Sequence, residues 1–309
     1  VRTRTLGTSG PDVSVVGLGC NNFGSRVNED GTRAVVDAAL DAGITLFDTA
    51  DVYGNRGGSE IALGAAFKGR RDRVVLATKF GHAMTDDAPP NRGSREYVRE
   101  AVEASLERLQ TDWIDLYQYH RPDGITPIEE TVGALNELVD EGKVRFIGSS
   151  NLDGRQVVEA DDVAKDRGWA RFVSAQNEYS FLERGAEEEL LPTAERLGIG
   201  VLPYFPLASG LLTGKYRRGL PAPAGTRLAL RPERLTDEAF DRIEALESFA
   251  GSRGISLLDV AIGGLAAQPA IASVIAGATK PEQARANAAA GDWVPMDGDL
   301  RALRDVLDG

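Results

Sequence analysis

Ile44-Thr45-Leu46-Phe47-Asp48, helix-period residues near Gly58–Phe67, and then Val74-Val75-Leu76-Ala77-Thr78-Lys79 form the stretch that decides the fold. Two short apolar runs, the second β-branched and too short and apolar for a surface helix, flank one amphipathic helix, which is the pattern of a βαβ unit. Working outward, the alternation recurs. Val13–Gly19 and a helix near Thr32–Ala42, ended by Gly43, stand before it. After it come a helix opened by Ser94 and running to Leu109, the strand Trp113–Tyr119, a helix near Ile128–Glu141, and the strand Val144–Gly148. A helix near Gly154–Asp166, the strand Phe172–Gln176, a helix near Ala186–Leu197, the strand Ile199–Tyr204, a helical stretch ending near Ala267 and the strand Ser273–Ala276 complete the series. Eight strands, each followed by helical sequence at a pitch of about 30–40 residues, predict an α/β fold, a (β/α)8 TIM barrel, with residues 1–309 forming one domain. Residues 1–8 read as part of a short N-terminal hairpin capping the barrel bottom, and Gly298–Leu307 as a C-terminal helix.

A doubly wound open sheet would carry G-x-G-x-x-G after its first strand; Gly17-Leu18-Gly19-Cys20-Asn21-Asn22 fails at the third glycine. Gly210-Leu211-Leu212-Thr213-Gly214-Lys215 is one residue short of a phosphate loop. With 47 acidic against 35 basic residues the net charge is -12, which repels a phosphate backbone, and no basic cluster is longer than Gly69–Arg73. Nucleic acid is therefore not an expected partner. No apolar run reaches the length of a membrane span, no secretory leader is visible, and Cys20 is alone, so a cytoplasmic, reducing location is expected. A reactive or metal-binding role for Cys20 is not expected, because no second thiol or suitably spaced histidine accompanies it. Two segments break the rhythm, Phe80–Arg92 and Leu207–Leu235, and long loops of this kind are expected to be lids or binding loops.

In such a barrel the chemistry lies at the C-terminal ends of the strands. The second, third and fourth strands end in Asp48, Lys79 and His120, and Tyr53 follows Asp48 by five residues. These four types suit protonation of a carbonyl oxygen. A phenol with a pKa near 10 is a weak acid at neutrality, an adjacent Lys79 ammonium is expected to lower that value, and Asp48 is expected to keep the lysine charged. His120 is expected to donate to the same oxygen or to relay the proton when the pH falls. Phe23, Tyr53, His120, Tyr117 and Phe205 are candidates for substrate contact. His82 lies near the mouth, Trp113 reads as structural, and Glu187-Glu188-Glu189 reads as an acidic first helical turn.

Phe47-Asp48-Thr49-Ala50-Asp51-Val52-Tyr53-Gly54, Ala77-Thr78-Lys79 and Asp115-Leu116-Tyr117-Gln118-Tyr119-His120 resemble the signature segments of the aldo-keto reductase family, and the resemblance runs from the first strand to Asn287. It implies an NAD(P)H-dependent carbonyl reductase in which Tyr53 is the general acid supported by Asp48, Lys79 and His120. Gly148-Ser149-Ser150-Asn151 resembles the nicotinamide-binding turn, so Ser150, Asn151 and Gln176 would hold the carboxamide and Tyr204 would stack on the ring. Leu207, Ser209 and Gly210 would meet the pyrophosphate, and Gly277, Thr279, Lys280, Gln283 and Asn287 the adenosine end. Some family members place arginine where Gln283 stands and glutamate where Ala286 stands; Lys280 is expected to replace the arginine, giving NADP(H) as the preferred cofactor with NAD(H) as the alternative. The family also resembles the cytoplasmic β subunits of potassium channels, which gives a redox sensor as the rival role, and the same site could oxidise an alcohol or sugar. The physiological substrate and oligomeric state are left open.

Overall fold

Strand period and helix caps account for most of the elements in the computed structural model, which describes residues 1–308. An antiparallel hairpin, β1 (Thr3–Thr5) with β2 (Asp12–Ser14), precedes the barrel. The chain then alternates β3 (Val16–Gly19), α1 (Glu29–Asp41), β4 (Leu46–Asp48), α2 (Tyr53–Phe67), β5 (Val75–Phe80), α3 (Arg95–Leu109), β6 (Ile114–Tyr119) and α4 (Ile128–Asp140). It continues through β7 (Val144–Ser150), α5 (Gly154–Arg167), β8 (Phe172–Gln176), α6 (Leu190–Leu197), β9 (Gly200–Val201), α7 (Asp237–Ser252), α8 (Leu257–Asp259), β10 (Val274–Gly277), α9 (Pro281–Ala290) and α10 (Asp297–Asp308). The eight parallel strands lie in the order β10-β3-β4-β5-β6-β7-β8-β9, a (β/α)8 barrel. The helix starts follow ordinary capping chemistry: Ser94 accepts from the Tyr97 amide, and Asp153 with Gln156 forms a reciprocal capping box.

The run Val13–Gly19 is two strands rather than one. Its first half joins the hairpin and its second half the barrel, because the Ser14 hydroxyl donates to Val16 O and accepts from Thr45 N at the break. Leu6 and Val13 from the hairpin then plug the barrel interior from below, packed with Leu46, Ala77, Leu116, Val173, Leu202, Ala272 and Ile275. The larger core lies between strands and helices. Strand β6 starts at Ile114; Trp113 precedes it, with the Arg71 and Arg145 guanidinium groups 4.6 and 4.8 Å from its ring. The acidic run does not open a helical first turn as a block. Glu187 closes a short 3-10 turn, where it accepts from Arg184 and the Tyr179 hydroxyl, and α6 begins only after Glu189.

Strand β9 is two residues long, since Pro203 has no N–H to continue a ladder. The seam to β10 is closed by Val201 N–H to Ala270 O, Ala272 N–H to Val201 O and Ile275 N–H to Pro203 O. The long segment after β9 folds into 3-10 turns at Ala208–Thr213, Arg227–Leu230 and Pro232–Arg234. Arg218 fastens this segment to α7 through Asp237, Asp241 and Glu244. Among the described residues no helix is long and apolar enough to cross a membrane.

Candidate active site

Side chains along a strand alternate between faces, so Asp48 stands two residues above Leu46, Lys79 above Ala77, and Gln118 and His120 above Leu116, all on the interior-facing set. This stacking brings the strand-end groups together. Lys79, fully buried, donates to Asp48 Oδ2 at 2.7 Å and to Thr49 O at 2.7 Å. Asp48 Oδ1 accepts from Gln176 at 2.8 Å and Gln118 at 3.2 Å. Burial alone would drive a lysine to lose its proton. Asp48 and the Tyr53 phenol outweigh it, and the ammonium is held above its ordinary value.

Tyr53 closes over this floor. Lys79 Nζ lies 5.0 Å from its ring centroid, and its ring meets the His120 imidazole edge to face at 5.7 Å. The chain reaches Tyr53 from β4 and then turns through four residues of positive φ, Gly54 to Gly57, so the regular part of α2 starts at Gly58. Gly54 is required there: a Cβ would sit 2.4 Å from Ser59 N and 2.5 Å from Phe23 O. The expected lowering of the phenol pKa is not the net result. Burial is the largest influence and holds it above 10.0, with Lys79 pulling the other way. His120 is pushed well below its ordinary range, by burial first and the Lys79 charge second, so it is a neutral imidazole and does not gain a proton as the pH falls moderately. His82 stands edge to face with His120 at 4.4 Å.

Above the floor opens a cavity of about 920 Å³. Its walls include Asp48, Tyr53 and His120 together with Ser150, Asn151, Gln176 and Tyr204 from the middle strands. Leu207, Ser209 and Gly210 from the long segment, and Gly277, Thr279, Lys280, Gln283 and Asn287 from the start of α9, complete the set expected from the sequence. Some of these are already engaged. Asn151 Nδ2 donates to His120 O at 2.9 Å and Ser150 Oγ at 3.0 Å, and its Oδ1 accepts from the Tyr204 hydroxyl at 2.8 Å. The Gln176 amide nitrogen is directed at Asp48, and Gln283 accepts from Thr279 N at 2.8 Å.

Two substrate candidates are placed elsewhere. Phe23 is fully buried in the outer core and outside the cavity wall. Tyr117 lies on the opposite strand face from Gln118, stacked on Phe80 at 4.9 Å. Phe205 does line the cavity, with the Arg227 guanidinium 5.6 Å from its ring. Cys20 lines it too but is buried, its thiol pushed up mainly by burial and donating to Leu18 O.

The sequence reading missed Gln118, Asn21, Asn22 and three cations, Arg26, Lys215 and Arg227, all but Gln118 in the cavity wall. Strand parity could have found Gln118, which shares its face with Leu116 and His120. The cations sit in irregular loops that carry no period. Among the described residues, Arg26, Lys215, Arg227 and Lys280 make no ion pair, whereas the adjacent Arg217 and Arg218 are paired. Arg26 and Arg227 are close enough for the charge of one to bear on the other. In a chain of net charge -12, four cations without ion pairs in one cavity wall give that wall a locally positive character suited to an anion. Gly210 takes φ +97 there, and a Cβ on it would meet Lys215 Nζ at 2.8 Å.

Residues 15–307 match the model of the aldo/keto reductase family. A Bacillus subtilis (strain 168) protein named as the uncharacterized oxidoreductase YrpG is 40% identical, covering 98% of this chain and 95% of its own length. Two plant proteins, each named as a probable voltage-gated potassium channel subunit beta, are also similar. The Oryza sativa subsp. japonica protein is 36% identical and the Arabidopsis thaliana protein 35% identical, each over 95% of this chain and 92% of its own length.

Proposed function

The chain belongs to the aldo/keto reductase family of oxidoreductases, and we propose that it reduces the carbonyl group of a small aldehyde or ketone with NADPH, Tyr53 supplying the proton. One observation carries this reading: an acid, a buried ammonium, its carboxylate partner and a neutral imidazole converge on the floor of a cavity whose outer arm holds uncompensated cations. The residues present fit a dinucleotide, with Arg26, Lys215, Arg227 and Lys280 offered to phosphates, the Asn287 amide buried beside Gly277 O, and Ser150 and Asn151 within the same wall as Tyr204. The bound nicotinamide would supply a hydride to the carbonyl carbon.

Tyr53 transfers its phenolic proton to the carbonyl oxygen as that oxygen gains charge, which completes the alcohol. Lys79 stabilises the phenolate left behind, and Asp48, itself held by Gln118 and Gln176, keeps the ammonium charged and in place. Neutral His120 donates an N–H to the same oxygen and fixes the carbonyl's direction. The preference we assign, NADP(H) over NAD(H), rests on Lys280, the cation at the N-terminal end of α9, taking the 2′-phosphate that NAD(H) lacks. The one free cysteine, buried at the cavity, is compatible with work in the cytoplasm.

Tyr53→Phe is expected to lower kcat by about 10²–10⁴ while leaving NADPH binding nearly intact. Unchanged turnover would remove the assignment. The names of the two plant relatives favour a second reading, a nucleotide-holding sensor that acts through protein contacts. Sustained NADPH consumption with simple aldehydes supports the reductase; one slow turnover with retained nucleotide supports the sensor. The same residues would run in reverse for an alcohol or sugar, with the Tyr53 phenolate as base.

A further inference from the structure

Two buried carboxylates near the site are not used by the reduction, Glu60, which is bonded to Thr78 and Arg108, and Asp51, which has no such partners. Asp51 has no exposed surface, and among the described residues neither side-chain oxygen has a side-chain partner; only the Val52 backbone N–H is near enough to favour the carboxylate. Its backbone N–H donates to Lys79 O at 3.0 Å, which pins the segment Asp51-Val52-Tyr53 against the end of β5. The groups whose charges reach Asp51 come from every element around it: Glu60 on α2, Arg108 on α3 and Lys79 on β5. In turn Asp51 bears on Tyr53, on Tyr97 of α3 and on Tyr117 of β6. Arg108 and Lys79 favour the charged form but are outweighed by burial and Glu60, Arg108 being bonded to Glu60 at 2.6 Å and Lys79 to Asp48. The Tyr117 hydroxyl, fully buried, is also without a partner. A carboxylate in this position would be a buried charge beside a second acidic group, with no cation bonded to it, which is a costly state in a protein interior.

We propose that Asp51 is carried as the neutral carboxylic acid and acts as a positioning residue for Tyr53, so that its ionisation unseats the phenol and sets the alkaline limit of activity. This rests on the reading of Tyr53 as the proton donor. Burial and the neighbouring Glu60 push the Asp51 carboxyl from 3.8 up to about 8. The other titratable groups at the floor lie elsewhere: the Tyr53 phenol and Cys20 thiol are held above 10.0 and 9.0, and His120 well below 6.5. Because the folded value is raised, the stability that Asp51 contributes is full below 3.8 and is lost progressively until the pH passes about 8.

The test compares wild type with Asp51→Asn, which keeps the shape and removes the charge. Wild-type kcat/KM is expected to fall by roughly tenfold per pH unit beyond about 8, and its thermal midpoint to decline between pH 5 and 8. In Asp51→Asn both dependences should flatten, with activity at pH 7 within about threefold of wild type. An unchanged alkaline limb in the variant overturns the proposal. Should the variant fail to fold, difference infrared spectra of the wild-type protein decide it: a carboxylic-acid carbonyl band should persist at pH 7 and vanish above about 8, and its absence at pH 7 overturns the proposal. The two readings fail separately. Full activity in Tyr53→Phe sinks the proton-donor assignment whatever the infrared result, whereas an inactive Tyr53→Phe with no such band sinks only the Asp51 proposal.

Discussion

The floor of the cavity and its outer arm handle charge in opposite ways. On the floor every charge is compensated: Lys79 meets Asp48 at 2.7 Å, and two glutamine amides complete the carboxylate. On the arm Arg26, Lys215, Arg227 and Lys280 stand without carboxylates, although the same long segment pairs Arg217 and Arg218 thoroughly. The floor is built of strand ends whose polar groups satisfy one another. The cations come from loops and the N-terminal end of α9. On the proposed function, the chemistry would sit on strand ends and the selection of an anionic partner on loops.

The contrast can be broken first at its most buried point. Lys79→Met leaves Asp48 uncompensated in the interior and should cost about 3–5 kcal/mol of stability, read as a lowered denaturant midpoint, besides abolishing turnover. If Lys79→Met is as stable as wild type, the floor is not the paired unit described. Next, Arg227→Gln should raise the Kd for NADPH by about 10–100-fold and leave kcat nearly unchanged, as measured by fluorescence titration and steady-state kinetics. A fall in kcat with unaltered affinity would move Arg227 from binding to chemistry. The smallest effect is expected at exposed Lys280, where Met should weaken NADPH by about fivefold and NADH by less. Equal losses for both nucleotides would place the 2′-phosphate elsewhere.

Periodicity made the barrel and its floor legible. A strand shows its length in its run of strand-forming residues and its end where that run stops, so Asp48, Lys79 and His120 could be read as neighbours before any coordinates. What escaped has physical causes. Val13–Gly19 is apolar apart from Ser14, and a single serine inside an apolar run is no mark of a strand break. The phenol pKa was misjudged because a sequence reveals a neighbouring charge more readily than it reveals burial, and burial won. Tyr117 and Gln118 are adjacent, yet one faces the helices and the other the barrel interior beside Asp48; parity counted from His120 separates them. Arg26, Lys215 and Arg227 converge from distant loops, and only tertiary structure brings them together.

The seam between β9 and β10 is the thinnest part of the barrel wall, since the two strands share no ladder and the seam is held by isolated bridges, Val201 with Ile271 and Tyr204 with Ile275. Tyr204 and Ile275, one on each side of it, both line the cavity. A dinucleotide lying there would act as a rivet across a half-open hoop. Occupancy would then be a mechanical event for the scaffold as well as a chemical one for the substrate, stiffening the barrel along the line where it is least able to hold itself shut.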